Sequence, residues 1–253
     1  MHREQDGSCG VPLAFGSHEL LVNPELLAAD RGEDYYLSFL DAAAIAVRPQ
    51  TRVLRGRGET LFYEQEGLHL LLRRYRRGGL YGRLIRRGYL SFFRGSRRSF
   101  LEFELLCRLR RAGARVPEPV LAQVSHHLLF VHNAIVLQEL EHCRNLAQIM
   151  AERPLAAAET AEVCSQLQVL LELGVVHTDL NVRNIMLDAD GQAYVVDFDK
   201  CFIRTPLTSR DRRAMMLRLR RSCLKEQRLR SAEGLPFHCS GEFVSAILAL
   251  AGS

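Results

Sequence analysis

The stretch His177-Thr178-Asp179-Leu180-Asn181-Val182-Arg183-Asn184 matches the pattern H-x-D-L-x-x-x-N, and Asp197 follows thirteen residues after Asn184, in VVDFD. These residue types at this spacing fit phosphoryl transfer. One carboxylate, Asp179, is placed to accept the proton of an attacking hydroxyl. An amide, Asn184, and a second carboxylate, Asp197, are hard oxygen donors of the kind that hold the magnesium bridging nucleotide phosphates. Taken singly, each of these residues is an ordinary turn former. Their order, their spacing and the flanking apolar segments NIMLD and AYVVDFD make the combination a kinase-like signature.

The partners of such a site lie upstream, and the pattern there is looser. Gly56-Arg57-Gly58 stands where a glycine-rich loop would cover the phosphates, with a plain turn as the alternative. The following strand should end in a phosphate-contacting lysine, yet the chain has lysine only at positions 200 and 225. Aligning LLLR with the usual V-A-I-K places Arg73 at that point, with Arg74 beside it. A guanidinium is always charged and binds phosphate with a two-pronged fork, so the exchange is physically reasonable. Successive side chains of a strand point to opposite faces, so only one of the two arginines faces the nucleotide. The alignment favours Arg73. On the next helix Glu102 is the expected partner of that arginine, with Glu104 as fallback and a solvated surface glutamate as the alternative.

Elements that position these groups are legible in outline. Residues 51–75 read as two extended segments around a turn. From Ser99 to Arg111, the residues Phe100, Phe103, Leu105, Leu106 and Leu109 recur at helical spacing, and Gly113, Pro117 and Pro119 stop the helix. Residues 120–124 and 134–140 read as a strand pair, and 145–152 and 156–173 as helices. NIMLD and AYVVDFD form a hairpin through the turn DADG. The remainder is mostly helical and strongly basic. The organisation expected is α+β, with an N-lobe over 1–140 and a C-lobe over 141–253 that carries the catalytic loop. Within the N-lobe, 1–50 is an N-terminal extension and 51–140 a nucleotide-covering antiparallel sheet with one helix.

Composition excludes other classes. Hydrophobic residues at 47% and charged residues at 25% are globular values. No apolar run approaches the ~18 residues of a membrane span. MHREQDGSCG lacks a basic start followed by an apolar stretch, so retention in the cytoplasm is expected. Seven scattered cysteines, without a C-x-x-C pair, predict reduced thiols and no zinc site. Charge is segregated: net −5 over residues 1–72, +12 over 73–115, −8 over 116–203 and +6 over 204–253. The basic blocks point to an anionic partner such as phosphate-rich lipid, nucleotide or nucleic acid, against the alternative of solvated helix faces.

RRYRRGGLYGRL, RSFLEFELL, GARVPEPV, and above all VVHTDLNVRNIMLD followed by VVDFDKC, resemble the 3-deoxy-D-manno-octulosonic acid (Kdo) kinase family. These are lipopolysaccharide-core kinases of the bilobal protein-kinase-like fold, and the resemblance covers roughly residues 50–230. It implies ATP- and Mg2+-dependent phosphorylation of a Kdo sugar on a Kdo-lipid A precursor, at the cytoplasmic face of the inner membrane. Asp179 would be the catalytic base, Asn184 and Asp197 magnesium ligands, and Gly56, Gly58, Arg73 and Glu102 the nucleotide-binding set. The arginine-rich segments would meet the anionic membrane surface peripherally, with no nucleic acid as partner. Asp197-Phe198-Asp199 stands where protein kinases have D-F-G, and His177-Thr178-Asp179 where they have H-R-D. Both departures resemble small-molecule kinases and argue against an activation-loop switch.

Overall fold

The computed structural model of the protein describes residues 9–55, 59–75, 89–90, 97–127 and 130–252. The chain divides into two compact units, Met1–Arg108 with Glu118–Glu139, and Leu109–Pro117 with Leu140–Ser253.

In the first unit, apolar residues alternate along extended segments and build one antiparallel sheet. The strands are β1 (Val11–Phe15), β2 (His18–Val22), β3 (Arg52–Arg55), β4 (Glu59–Gln65), β5 (Leu68–Arg74), β6 (Tyr89–Leu90), β7 (Pro119–His127) and β8 (Phe130–Gln138). Their order is β1-β2-β7-β8-β5-β4-β3, with β6 also paired to β8. Residues 51–75 therefore hold three strands where two extended segments were expected. The β4–β5 connection is a two-residue turn in which Glu66 and Gly67 both have positive φ, at 54° and 72°. That geometry matches the twist of the paired strands, and glycine tolerates it without strain. It sets the register Thr60 opposite Arg73 and Leu72 opposite Leu61.

Residues 9–50 are part of this unit's core. β1 and β2 extend the sheet beyond β7, and the short helices α1 (Glu33–Ser38) and α2 (Ala42–Ala46) bring Tyr36, Phe39, Leu40 and Ile45 against Leu61, Tyr63, Leu70 and Leu72. Two buried hydroxyls are satisfied there: Tyr36 donates to the Ala28 carbonyl and Tyr63 to the Phe39 carbonyl, each at 2.7 Å. These two helices add to the one helix expected beside the sheet, α3 (Arg98–Arg111). All five apolar positions read from its spacing, Phe100, Phe103, Leu105, Leu106 and Leu109, are buried. Cys107 on α3 forms a disulfide with Cys9, with Cα atoms 5.8 Å apart, which corrects the expectation of seven reduced thiols. The partners are 98 residues apart in sequence, so the pairing leaves no spacing signature.

The second unit is mostly helical. It contains β9 (Arg144–Asn145), α4 (Leu146–Met150), α5 (Ala157–Glu172), β10 (Val175–Val176), β11 (Ile185–Leu187), β12 (Ala193–Val195), β13 (Phe202–Ile203), α6 (Ser209–Ala232) and α7 (Gly241–Ala249). α4 opens with a capping box: Asn145 Oδ1 accepts from the Gln148 amide and Gln148 Oε1 accepts from the Asn145 amide. β11 pairs with β12 on one side and β9 on the other, and β10 pairs with β13, all antiparallel. Helices α5, α6 and α7 supply the core through Val163, Leu167, Leu170, Met215, Met216, Leu219, Phe243 and Ile247. The class is α+β, an antiparallel sheet with helices in one unit and a helix-rich unit carrying a small hairpin in the other. Among the described residues no helix is long and apolar enough to cross a membrane.

Candidate active site

The H-x-D-L-x-x-x-N loop starts where α5 stops. Gly174, in the left-handed region at φ 74°, turns the chain into β10, and the Arg204 amide donates to its carbonyl at 2.8 Å. A Cβ on this glycine would sit 2.5 Å from the Arg204 carbonyl oxygen, so the backbone approach itself requires glycine. Past β10 the loop runs from His177 to Asn184 and feeds β11. The β11–β12 turn closes on Asp188, whose Oδ1 accepts from the amides of Asp190 and Gln192 at 3.0 and 2.8 Å. β12 ends at Val195, so Asp197-Phe198-Asp199 lies beyond the strand that was expected to include it.

One residue ties the three candidate positions together. The Val196 amide donates to the Asn184 carbonyl at 2.9 Å, and the Val196 carbonyl accepts from His177 Nε2 at 3.1 Å. His177 is fully buried, and its Nδ1 accepts from the Asp179 amide at 3.3 Å. With Nε2 donating and Nδ1 accepting, both ring nitrogens are satisfied in the neutral imidazole. Burial lowers the His177 pKa below its ordinary value; the Val196 hydrogen bond and the nearby Asp197 and Asp179 carboxylates oppose the shift. Asn181 and Asn184 each donate Nδ2 to the Asp179 carbonyl, at 2.8 and 2.9 Å. Asp179 is thus held by its own backbone while its side chain stands exposed to solvent. Asp197, half-buried, has φ 65°, an uncommon conformation for a residue with a side chain. Phe198 is buried after it, with its ring 5.1 Å from that of His177. The structure therefore brings Asp179, Asn184 and Asp197 into one hydrogen-bonded unit.

The long helix α6 holds this loop at three points spaced four residues apart, a spacing that shares one helix face. Arg218 donates to the His177 carbonyl at 3.1 Å, and Ser222 Oγ accepts from the Val182 amide at 3.1 Å. Glu226 receives Arg183 through two bonds at 2.8 and 3.0 Å. None of the three was singled out in the sequence, where this stretch reads only as basic. The signal available was a serine and a glutamate interrupting the arginines at helical spacing.

In the first unit, Arg73 at the end of β5 pairs with both carboxylate oxygens of Glu102 on α3. Glu102 is 2% exposed, while the fallback Glu104 faces solvent. The opposite-faces argument holds: Leu70 and Leu72 are buried in the core, and Arg74, on their side, donates to the Leu40 carbonyl at 2.8 Å. Tyr75 was missed. It shares the Arg73 face at strand spacing, is buried, and donates its hydroxyl to Glu102 at 2.5 Å. Burial first, and then the Glu102 charge, push the Tyr75 hydroxyl well above its ordinary pKa, so it stays protonated and donating. Asn133 on β8 fixes the first turn of α3, its Oδ1 accepting from the Ser99 amide and hydroxyl at 3.1 and 3.0 Å. That contact lies one helical turn before Glu102. Gly56 and Gly58 lie outside the described residues.

Asn184 commits its amide nitrogen to Asp179, which leaves Oδ1 as the end that can ligate, and Asp197 contributes a carboxylate. Two hard oxygen donors suit magnesium. Among the described residues no group of three or more His, Cys, Asp or Glu has the makings of a metal cage.

The model of the lipopolysaccharide kinase (Kdo/WaaP) family matches residues 49–235. The chain belongs to this family. The matched span contains all seven candidate site residues and the α6 contacts to the loop, whereas β1, β2, α1, α2 and α7 lie outside it. The 3-deoxy-D-manno-octulosonic acid kinase of Vibrio cholerae serotype O1 is 35% identical over 171 residues, covering 68% of this chain and 72% of that protein. The enzyme of the same name from Photobacterium profundum is 30% identical over 215 residues, 85% and 89% of the two chains. That from Xanthomonas campestris pv. campestris is 36% identical over 180 residues, 70% and 71%. Among solved structures, the co-crystal structure of WbdD with the kinase inhibitor LY294002 aligns over 81% of this chain and 45% of that one, with a TM-score of 0.48 and 17% identity, a level that adds nothing to the fold described above.

Proposed function

We propose that the protein transfers the γ-phosphoryl group of ATP to a hydroxyl of 3-deoxy-D-manno-octulosonic acid on a lipid A precursor, in lipopolysaccharide core biosynthesis. The reading is supported by the Val196 link, since Val196 bonds to Asn184 and to His177, and His177 accepts from the Asp179 amide. Asp179 accepts the proton of the attacking hydroxyl as the new P–O bond forms and the bond from the γ-phosphorus to the β–γ bridging oxygen breaks, leaving ADP. Asn184 and Asp197 would hold magnesium, which supplies neutralisation of the nucleotide phosphate charge. Arg73, oriented by Glu102 and Tyr75, takes the part of the absent lysine and stabilises phosphate charge through a fork rather than a point. Gly56 and Gly58 cover the phosphates in the same reading. The acceptor is a lipid, so the reaction belongs at the cytoplasmic face of the inner membrane with the protein attached peripherally.

The test is ATP consumption with and without the Kdo-bearing acceptor, in the wild type and in Asp179→Ala. The expected result is acceptor-dependent turnover that the substitution abolishes while the unfolding transition is retained. Near wild-type turnover in the folded variant would remove Asp179 from the role.

A further inference from the structure

α6 has a second face that the catalytic loop does not use. Arg210, Arg213, Arg220, Arg221, Lys225 and Arg228 are all exposed, and their spacing of three, seven, one, four and three residues keeps them along one side of the helix. Between them lie Leu217 and Leu224, both half-buried, and at one margin Leu229 is 50% exposed. The only carboxylates within α6, Asp211 and Glu226, lie off the centre of this face, Asp211 at the same margin as Leu229, and both are engaged elsewhere. Asp211 pairs with Arg204 at 2.7 Å and Glu226 with Arg183 at 2.8 Å. The stripe from Arg210 to Arg228 runs ~27 Å at 1.5 Å per residue, and α6 contributes no carboxylate to it.

The geometry points to this face as a docking surface for an anionic phospholipid bilayer. Arginine forks match lipid phosphates, and leucines set among cations give the shallow apolar contact that an interfacial helix makes. A single-stranded nucleic acid fits less well, because such partners are bound largely by stacking on aromatic rings and α6 contains no Phe, Tyr or Trp. The inference rests on the proposed function in one respect, that the acceptor lies in a membrane. Because Arg218, Ser222 and Glu226 hold the catalytic loop from another side of the same helix, docking through the basic stripe would fix the orientation of that loop to the bilayer.

The test uses vesicles that contain no acceptor, so that its outcome is separate from that of the kinase assignment. Sedimentation of the full chain is measured with vesicles of phosphatidylcholine and phosphatidylglycerol at 7:3, and with phosphatidylcholine alone, at low and high salt. Each cation near an anionic surface is worth roughly fivefold in partitioning. The fourfold variant Arg210→Gln, Arg213→Gln, Arg221→Gln, Arg228→Gln should lose binding by on the order of several hundredfold. The corresponding fourfold Arg→Lys variant should retain most of it, and the single Arg228→Glu should lose more than Arg228→Gln. All should keep the wild-type unfolding midpoint and the turnover on detergent-dispersed acceptor. Wild-type protein that binds both vesicles equally, a glutamine variant that binds like wild type, or tighter binding of a single-stranded RNA lost in that same variant would each overturn the inference.

Discussion

Arg73→Ala separates the two things that arginine does. In the folded protein it meets a carboxylate that is 2% exposed, while its own side chain is 21% exposed. Truncating one partner of a buried pair leaves an uncompensated charge, which typically costs about 3–5 kcal/mol. The lower end applies here, about 3 kcal/mol, because water reaches the arginine side of the pair and the Tyr75 hydroxyl still donates to Glu102. Against a total stability of about 5–15 kcal/mol, that is a large but survivable loss. If Arg73 also stabilises phosphate charge, turnover should fall by about a hundredfold, equivalent to about 2.7 kcal/mol in the barrier. The double variant Arg73→Ala, Glu102→Gln removes the stranded charge and should regain most of the stability while turnover stays low. Urea unfolding and steady-state ATP turnover on all three proteins give the comparison. Recovery of turnover along with stability in the double variant would refute the reasoning, since Arg73 would then serve only as the structural partner of Glu102.

Asn184→Ala and Asp197→Ala should each raise the magnesium concentration needed for half-maximal turnover, and an unchanged magnesium dependence in both would remove them as ligands. His177 has a folded pKa lowered by burial, so the folded state takes up its proton at lower pH than the unfolded chain, which does so near pH 6.5. Its contribution to stability is therefore full above that value and declines as the pH falls below it, by at most about 1.4 kcal/mol per pH unit. Unfolding free energies at pH 7.5 and 5.5 should show this decline in the wild type and a smaller one in His177→Gln. Gly174→Ala must place a methyl against the Arg204 carbonyl at positive φ, and should lower stability by about 1–3 kcal/mol, read as a lower unfolding midpoint.

Legibility in the sequence followed the range of the interactions. Asp179, Asn184 and Asp197 were readable because one loop and one hairpin position them, so their spacing is their geometry. Arg73 and Glu102 were readable because strand alternation and helix periodicity each decide which residue faces which side. Tyr75 obeys the same alternation as Arg73 and was available to the same argument. The clamps from Arg218, Ser222 and Glu226 were not, because they cross roughly 40 residues of chain and depend on how α6 packs. Residues 9–50 escaped assignment for a related reason. Their strands are five residues long and their helices five or six, so periodicity within them is short, and only packing on Leu61, Leu70 and Leu72 gives them definition. The basic block at 73–115 also reads differently once side chains are placed. Among its described residues, Arg73, Arg74, Arg97, Arg98, Arg110 and Arg115 all have partners within the protein, so their charge is structural.

The central claim is tested most directly by the mass of the acceptor. A purified Kdo-lipid A precursor is incubated with the protein, ATP and magnesium, and its mass is measured before and after. Transfer of one phosphoryl group predicts a gain of about 80 Da, located on the Kdo sugar by fragmentation and absent with Asp179→Ala. ATP hydrolysis without any gain in acceptor mass, or a gain located on the lipid A portion, would contradict the account.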